Sequence, residues 1–177
     1  MTTPTRQDAD FPGRADENRR IWDANARWWD DRIGDGNDFQ TVLIEPATAH
    51  LLNVGAGDTI LDVACGAGRF ARRMAELGAR VVAFDYSAEF IARARERTAG
   101  DAGVEYHVLD AANTEALLSL GSNRFNKAVC TMAIMDMPEI GRPKPPSTAK
   151  ARVTEKARTV SPTNIRMILV FMFDSFR

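Results

Sequence analysis

Cysteine and histidine are scarce in this 177-residue chain, which holds two of each: Cys65 and Cys130, His50 and His107. Two cysteines cannot build a disulfide framework, and none of the four residues has metal-ligand spacing, so no metal site is expected. Both cysteines read as reduced, buried small side chains. No apolar run is long enough to cross a bilayer, and the opening MTTPTRQDADFPGR has no apolar core of a signal peptide. Those two absences predict a cytoplasmic protein without membrane insertion. There is no excess of either charge, the net being −1, and no internal repeat. Bulk composition therefore excludes disorder but names no function.

The stretch from Thr59 to Ser87 carries most of the information. Thr59–Ala64 is a β-branched, apolar run of the kind a parallel strand needs when both faces are buried. Cys65-Gly66-Ala67-Gly68 replaces bulk with backbone, which permits a tight turn and a close approach to a ligand at the start of a helix. Phe70, Met74 and Leu77 then recur on one helical face, with Arg72, Arg73 and Glu76 turned away. Gly78 ends that helix. Arg80–Phe84 is a second strand, and Asp85 stands at its carboxyl end, where open α/β sheets bind ligands. Taken alone, Gly66-x-Gly68-x-x-Ala71 with Asp85 also fits a dinucleotide fingerprint, so nicotinamide is one reading of the turn.

The wider pattern resembles the class I S-adenosylmethionine-dependent methyltransferases. Leu61-Asp62-Val63-Ala64-Cys65-Gly66-Ala67-Gly68 is similar to their first motif, with Ala64 where the usual pattern has glycine. Asp85-Tyr86-Ser87 and Leu109-Asp110-Ala111 continue the likeness as second and third acidic strand ends. The resemblance implies S-adenosyl-L-methionine as cofactor. Asp85 would accept both ribose hydroxyls, and Asp62 would accept turn N–H groups and face water or the methionine amino group. Ala64, Gly66 and Gly68 would meet the cofactor through backbone. Tyr86 would lie against the adenine, Asp110 and Ala111 at its edge, and Thr131 and Met132 beside the methionine moiety.

Around this unit the chain reads in order. Residues 1–15 form an arm. A helix from Asp16 to Ile33 carries Ile21, Trp22, Trp28, Trp29 and Ile33 as an apolar stripe. A second helical stretch, Phe39–Asn53, has Phe39, Val42, Leu43, Leu51 and Leu52 as its core and is kinked or split by Pro46. In the family such leading helices cover the donor site, so Trp28, Trp29 and Phe39 would line the acceptor pocket. Ser87 caps the next helix, with Phe90, Ile91 and Ala94 inward and Glu89 paired with Arg93. Val104–Leu109 is strand three, and Asn113 or Thr114 caps a short helix ending at Gly121. Phe125–Ala133 is strand four. The expected fold is a three-layer, doubly wound, mainly parallel α/β sheet, Rossmann-like and incomplete on its C-terminal side.

From Gly141 the character changes. Residues 1–140 hold 15 Lys and Arg against 22 Asp and Glu, whereas residues 141–177 hold 8 against 2. Four prolines and the lack of an apolar period make 141–164 read as linker or disorder. Met167–Phe173 has the composition of a buried strand, which would flank strand four and relieve it of an exposed edge. The expected division is thus residues 1–58 as arm and helical cap, 59–140 as cofactor-binding core, and 141–177 as a basic, atypical or truncated tail with a strand at 166–173.

The resemblance also bears on the acceptor. Strand four ends Cys130-Thr131-Met132-Ala133 and lacks the Asn/Asp-Pro-Pro-aromatic run of enzymes that methylate bases or glutamine, which favours a small, partly apolar acceptor of the quinone-precursor or secondary-metabolite kind. No catalytic residue is identifiable. His50 and His107 read as structural, Asp136 and Glu139 as capping or surface acids. Nucleic acid is not an expected partner, because the basic tail has no interleaved aromatics. Two other readings stand beside methyl transfer: an NAD(P)-dependent oxidoreductase, and a non-catalytic nucleotide-binding remnant.

Overall fold

The structure is a computed structural model that describes residues 13–100, 102–137 and, as backbone, 166–170. Residues 1–12, 101, 138–165 and 171–177 lie outside the described residues, and with them Glu139, the expected linker and the end of the expected strand at 171–173.

Helix α1 (Arg14–Ile33) is followed by a π-helical segment (Phe39–Ile44) that runs directly into α2 (Glu45–Leu52). Then come β1 (Thr59–Val63), α3 (Arg69–Glu76), β2 (Arg80–Asp85), α4 (Ala88–Arg97), β3 (Val104–Val108), α5 (Thr114–Ser119) and β4 (Lys127–Thr131). A 3-10 turn, Ile134–Asp136, follows β4, and the last element is β5 (Arg166–Val170). The strands form one sheet in the order β3-β2-β1-β4-β5, and every pairing is parallel. This is the doubly wound sheet expected, with its switch point between β1 and β4. β5 pairs along the outer edge of β4, Lys127 opposite Arg166 and Thr131 opposite Val170.

Strand alternation sorts the core into two layers. Ile60, Val81, Ala83, Tyr106 and Val129 face one way and pack with Ala71, Met74, Ile91 and Ala94 of α3 and α4. Leu61, Val63, Val82 and Phe84 face the other way and pack with Leu109, Leu117, Leu120 and Phe125 around α5. The carboxyl ends of β1, β2 and β4 therefore open together at one edge, between the helical layers.

Local signals explain most boundaries. Gly78, at φ 95°, ends α3. Ser87 Oγ accepts the Phe90 N–H at 3.2 Å and Asn113 Oδ1 accepts that of Ala116 at 3.1 Å, so both serve as N-caps. Three expectations are corrected. In the second leading segment Val42 and Leu43 are 74% and 56% exposed, Leu51 is also exposed, and only Leu52 of that group is fully buried, with Ile44 and Thr48 beside it. The cause is the π segment: the Glu45 N–H bonds back to Gln40, one residue further than in an α-helix, which rotates the following face out of phase with a 3.6-residue count. On α1 the stripe is narrower than expected, since Ile21 and Trp28 are exposed and the buried positions are Ala26 and Asp30. On α4 Arg93 pairs with Glu96 at 3.5 Å rather than with Glu89.

Candidate functional site

The open edge forms a cavity of about 380 Å³. Asp62, Ala64, Gly66, Asp85, Tyr86, Asp110, Ala111, Thr131 and Met132 all line it, although they come from four strand ends and 71 residues of sequence. Gly68 lies just behind, in the left-handed region at φ 72°, and a Cβ there would strike the hydroxyl of Tyr106. It shapes the turn from below instead of touching the cavity. Of the residues expected on the acceptor side, Trp29 is in the wall; Trp28 and Phe39 are not. Trp28 is turned to solvent under Arg32, whose guanidinium carbon sits 5.4 Å from the ring centre.

The glycine turn and the acids divide the hydrogen bonds differently from expectation. Asp85 Oδ2 accepts the Gly66 N–H at 2.9 Å and Oδ1 accepts the Ser87 N–H at 3.0 Å. Each oxygen keeps lone-pair capacity for a further donor. Asp62 takes none of the turn N–H groups: its carboxyl is 3% exposed and makes no hydrogen bond among the described residues. The reason is placement. Asp85 ends the neighbouring strand and reaches across to the turn, whereas Asp62 sits inside β1, opposite Ala83. Burial, with the Asp85 charge adding to it, pushes the Asp62 carboxyl up to about 8. Burial also raises Asp85, and its backbone N–H partners oppose that shift.

The backbone at the site is held in uncommon conformations. Ala64 and Met132 have φ of 55° and 58°, a region that costs a residue with Cβ about 1–2 kcal/mol. Both stand immediately after a strand end. Strain concentrated there is typical of ligand-binding turns. Two polar groups beside them have no hydrogen-bond partner among the described residues: the Asp62 carboxyl, and the buried Thr131 Oγ1. A hydrogen-bond donor entering the cavity would satisfy both.

Three contributions were not read from sequence. Trp22 stands in the wall with Trp29, their rings 5.9 Å apart and nearly perpendicular. Arg69, the first residue of α3, forms a two-pronged ion pair with the nearly buried Glu45 of α2, and both line the cavity. Arg19 sits over the Tyr86 ring at 5.8 Å and near Asp110 at 3.8 Å. Asp110 itself is partly spent on its own turn, accepting the Ala112 N–H at 2.8 Å.

Other reactive groups are not poised. Burial raises the Cys65 thiol, and burial followed by the Asp62 charge takes Cys130 up to about 11. His50 is exposed on α2, and His107 bonds Glu105 at 2.8 Å, away from the strand ends. Among the described residues no cluster suits a metal ion, and no helix is long and apolar enough to cross a membrane.

Comparison with known proteins agrees with the geometry. Residues 60–153, more than half of the chain, match the family described as "Methyltransferase domain". A ubiquinone biosynthesis O-methyltransferase of Xanthomonas axonopodis pv. citri is 31% identical over 119 residues, 64% of this chain and 46% of the relative. A demethylmenaquinone methyltransferase of Clavibacter sepedonicus is 41% identical over 76 residues, 43% of this chain and 30% of the relative. The chain thus spans about half or less of the length of these relatives. Among solved structures, a SAM dependent methyltransferase from Aquifex aeolicus shares the fold, with a TM-score of 0.54 at 17% identity over 66% of this chain and 60% of that one. Phospholethanolamine N-methyltransferase 2 of Haemonchus contortus, solved with phosphomonomethylethanolamine and S-adenosylhomocysteine, gives 0.54 at 26% identity over 72% and 31%. With the glycine turn, the strand-end acids and the family match in agreement, this chain belongs to the class I S-adenosylmethionine-dependent methyltransferases.

Proposed function

We propose that the chain binds S-adenosylmethionine in the cavity at the carboxyl ends of β1, β2 and β4 and transfers its methyl group to a small, partly apolar acceptor. The observation that carries this reading is the convergence of Asp62, Asp85, Asp110 and Thr131 on one cavity, with two of their polar groups unpaired among the described residues. Asp85 holds the ribose through the lone pairs left by Gly66 and Ser87. Asp62 faces the ammonium of the methionine moiety, and Thr131 supplies a hydroxyl beside it. Tyr86, Asp110 and Ala111 meet the adenine, and Ala64, Gly66 and Met132 bring backbone close, with Gly68 supporting the turn. The bound donor supplies an activated methyl, so the chain's task is alignment and exclusion of water, which can lower a barrier by about 7–11 kcal/mol. Trp22 and Trp29 give the acceptor side an apolar wall.

The division into cap (1–58), core (59–140) and tail (141–177) and a cytoplasmic location belong to the same proposal, as does an acceptor akin to those of the quinone-pathway relatives. Titration calorimetry with S-adenosylhomocysteine and with NAD tests it: saturable binding of the sulfur nucleotide is expected, and binding of NAD alone would overturn it. Asp85→Ala should weaken the sulfur nucleotide by tenfold or more, since a hydrogen bond to a charged group is worth about 1.5–3 kcal/mol.

A further inference from the structure

Helix α1 reaches the cofactor half of the fold through α4, and the contact is polar at both ends. Its inward face carries Asp23, Ala26 and Asp30. Ala26 is fully buried, and its small side chain lets the two helices approach. At the far end of α4, Arg97 Nε meets Asp30 Oδ1 at 2.6 Å. At the near end, the fully buried Ser87 donates its hydroxyl to Asp23 Oδ1 at 2.5 Å.

These two attachments differ in what lies behind them. Ser87 already has two duties. Its Oγ accepts the Phe90 N–H at 3.2 Å and caps α4, and its own N–H holds Asp85 Oδ1 at 3.0 Å. The other Asp85 oxygen holds Gly66. A continuous path therefore runs from Asp23 through Ser87 and Asp85 to the glycine turn, joining the cap helix to the group that faces the ribose. Capping requires only the lone pairs of Oγ. Giving its proton to Asp23 fixes the remaining rotation of the hydroxyl and keeps those lone pairs aimed at the helix. Asp23 also brings a second carboxylate near Asp85, an unfavourable arrangement for packing alone. Trp22, the residue before Asp23, stands in the cavity wall. Arg97 holds Asp30, which with Trp29 also lines the cavity, but among the described residues no hydrogen bond runs on from that pair to Asp85 or the glycine turn.

We propose that Asp23 is a positioning residue for the nucleotide: by holding Ser87 it sets the orientation of the Asp85 carboxylate and couples it to the docking of the helix that walls the acceptor side. This inference rests on the cofactor reading above, and the experiment separates the two. Calorimetric titration with S-adenosylhomocysteine is carried out on the wild type, Asp23→Ala, Asp23→Asn, Ser87→Gly, the Asp23→Ala/Ser87→Gly pair and Arg97→Gln, with a thermal melt of each. Asp23→Ala should bind about tenfold more weakly. Asp23→Asn, which keeps an oxygen for the Ser87 hydroxyl, should stay within about threefold of wild type. Ser87→Gly retains the backbone N–H and a tolerated cap, should match Asp23→Ala, and should add little when combined with it, because both remove one linkage. Arg97→Gln should lower the melting temperature while leaving affinity within about threefold.

Wild-type affinity in both Asp23→Ala and Ser87→Gly would overturn the inference alone, as would equal weakening by Asp23→Ala and Arg97→Gln. Ser87→Gly decides the matter if Asp23→Ala does not fold. A wild type that fails to bind removes the cofactor reading and this inference with it.

Discussion

Asp62 shows how much one buried carboxyl can impose. With its pKa raised to about 8, against about 3.9 for a free aspartate, the folded chain retains a proton across that interval that the unfolded chain releases. The resulting stability is fully present below the lower value and is lost as pH rises through the upper one. Asp85, shifted the same way by burial, adds to the trend. The melting temperature without ligand should therefore fall between pH 6 and pH 9, and Asp62→Asn should flatten that fall. An ammonium group placed beside Asp62 by the proposed ligand reverses the preference. Binding of S-adenosylhomocysteine at pH 7 should release protons, which calorimetry in buffers of different ionisation enthalpy measures, and Asp62→Asn should reduce the release. Ala64 allows a cleaner experiment. It occupies the left-handed region with a Cβ that opposes it, so Ala64→Gly should raise stability by about 1 kcal/mol, read as a higher urea midpoint at unchanged slope.

At the scale of elements, the π segment before α2 has the largest effect. Its longer backbone turn takes Val42 and Leu43 to the surface and brings Ile44, Thr48 and Leu52 inward. Leu52→Ala should cost about 2–5 kcal/mol, as for other buried leucines, whereas Val42→Ala should fall within about 0.5 kcal/mol of wild type. Urea unfolding of the two variants checks the phase directly. The same segment leads into Glu45, which grips Arg69 at the first position of α3. The leading segment is thereby joined to the start of α3 through residues other than those of the Asp23 contact.

For the molecule as a whole, the sheet order puts β4 between β1 and β5. A chain ended at Ile140 would leave the buried, apolar Ala128, Val129 and Cys130 on an edge strand, a template for pairing with another copy. Such a chain should self-associate in light scattering under conditions where the full chain does not.

The sequence by itself determined the βαβ order, the two apolar layers, the glycine turn and the acids at the strand ends, because period, turn chemistry and strand polarity are local properties. Of the ten residues it led us to expect around the cofactor, nine line one cavity. Which acid receives the turn N–H groups was decided by tertiary structure, since Asp85 approaches the turn from a neighbouring strand and Asp62 cannot. The exposure of Val42 was decided there too, by the one-residue lengthening of a helical turn that no 3.6-residue count contains. Asp23 became meaningful only when α1 packed on α4. Its partner lies 64 residues away, and hydrogen-bond geometry between distant elements leaves no periodic trace in the chain.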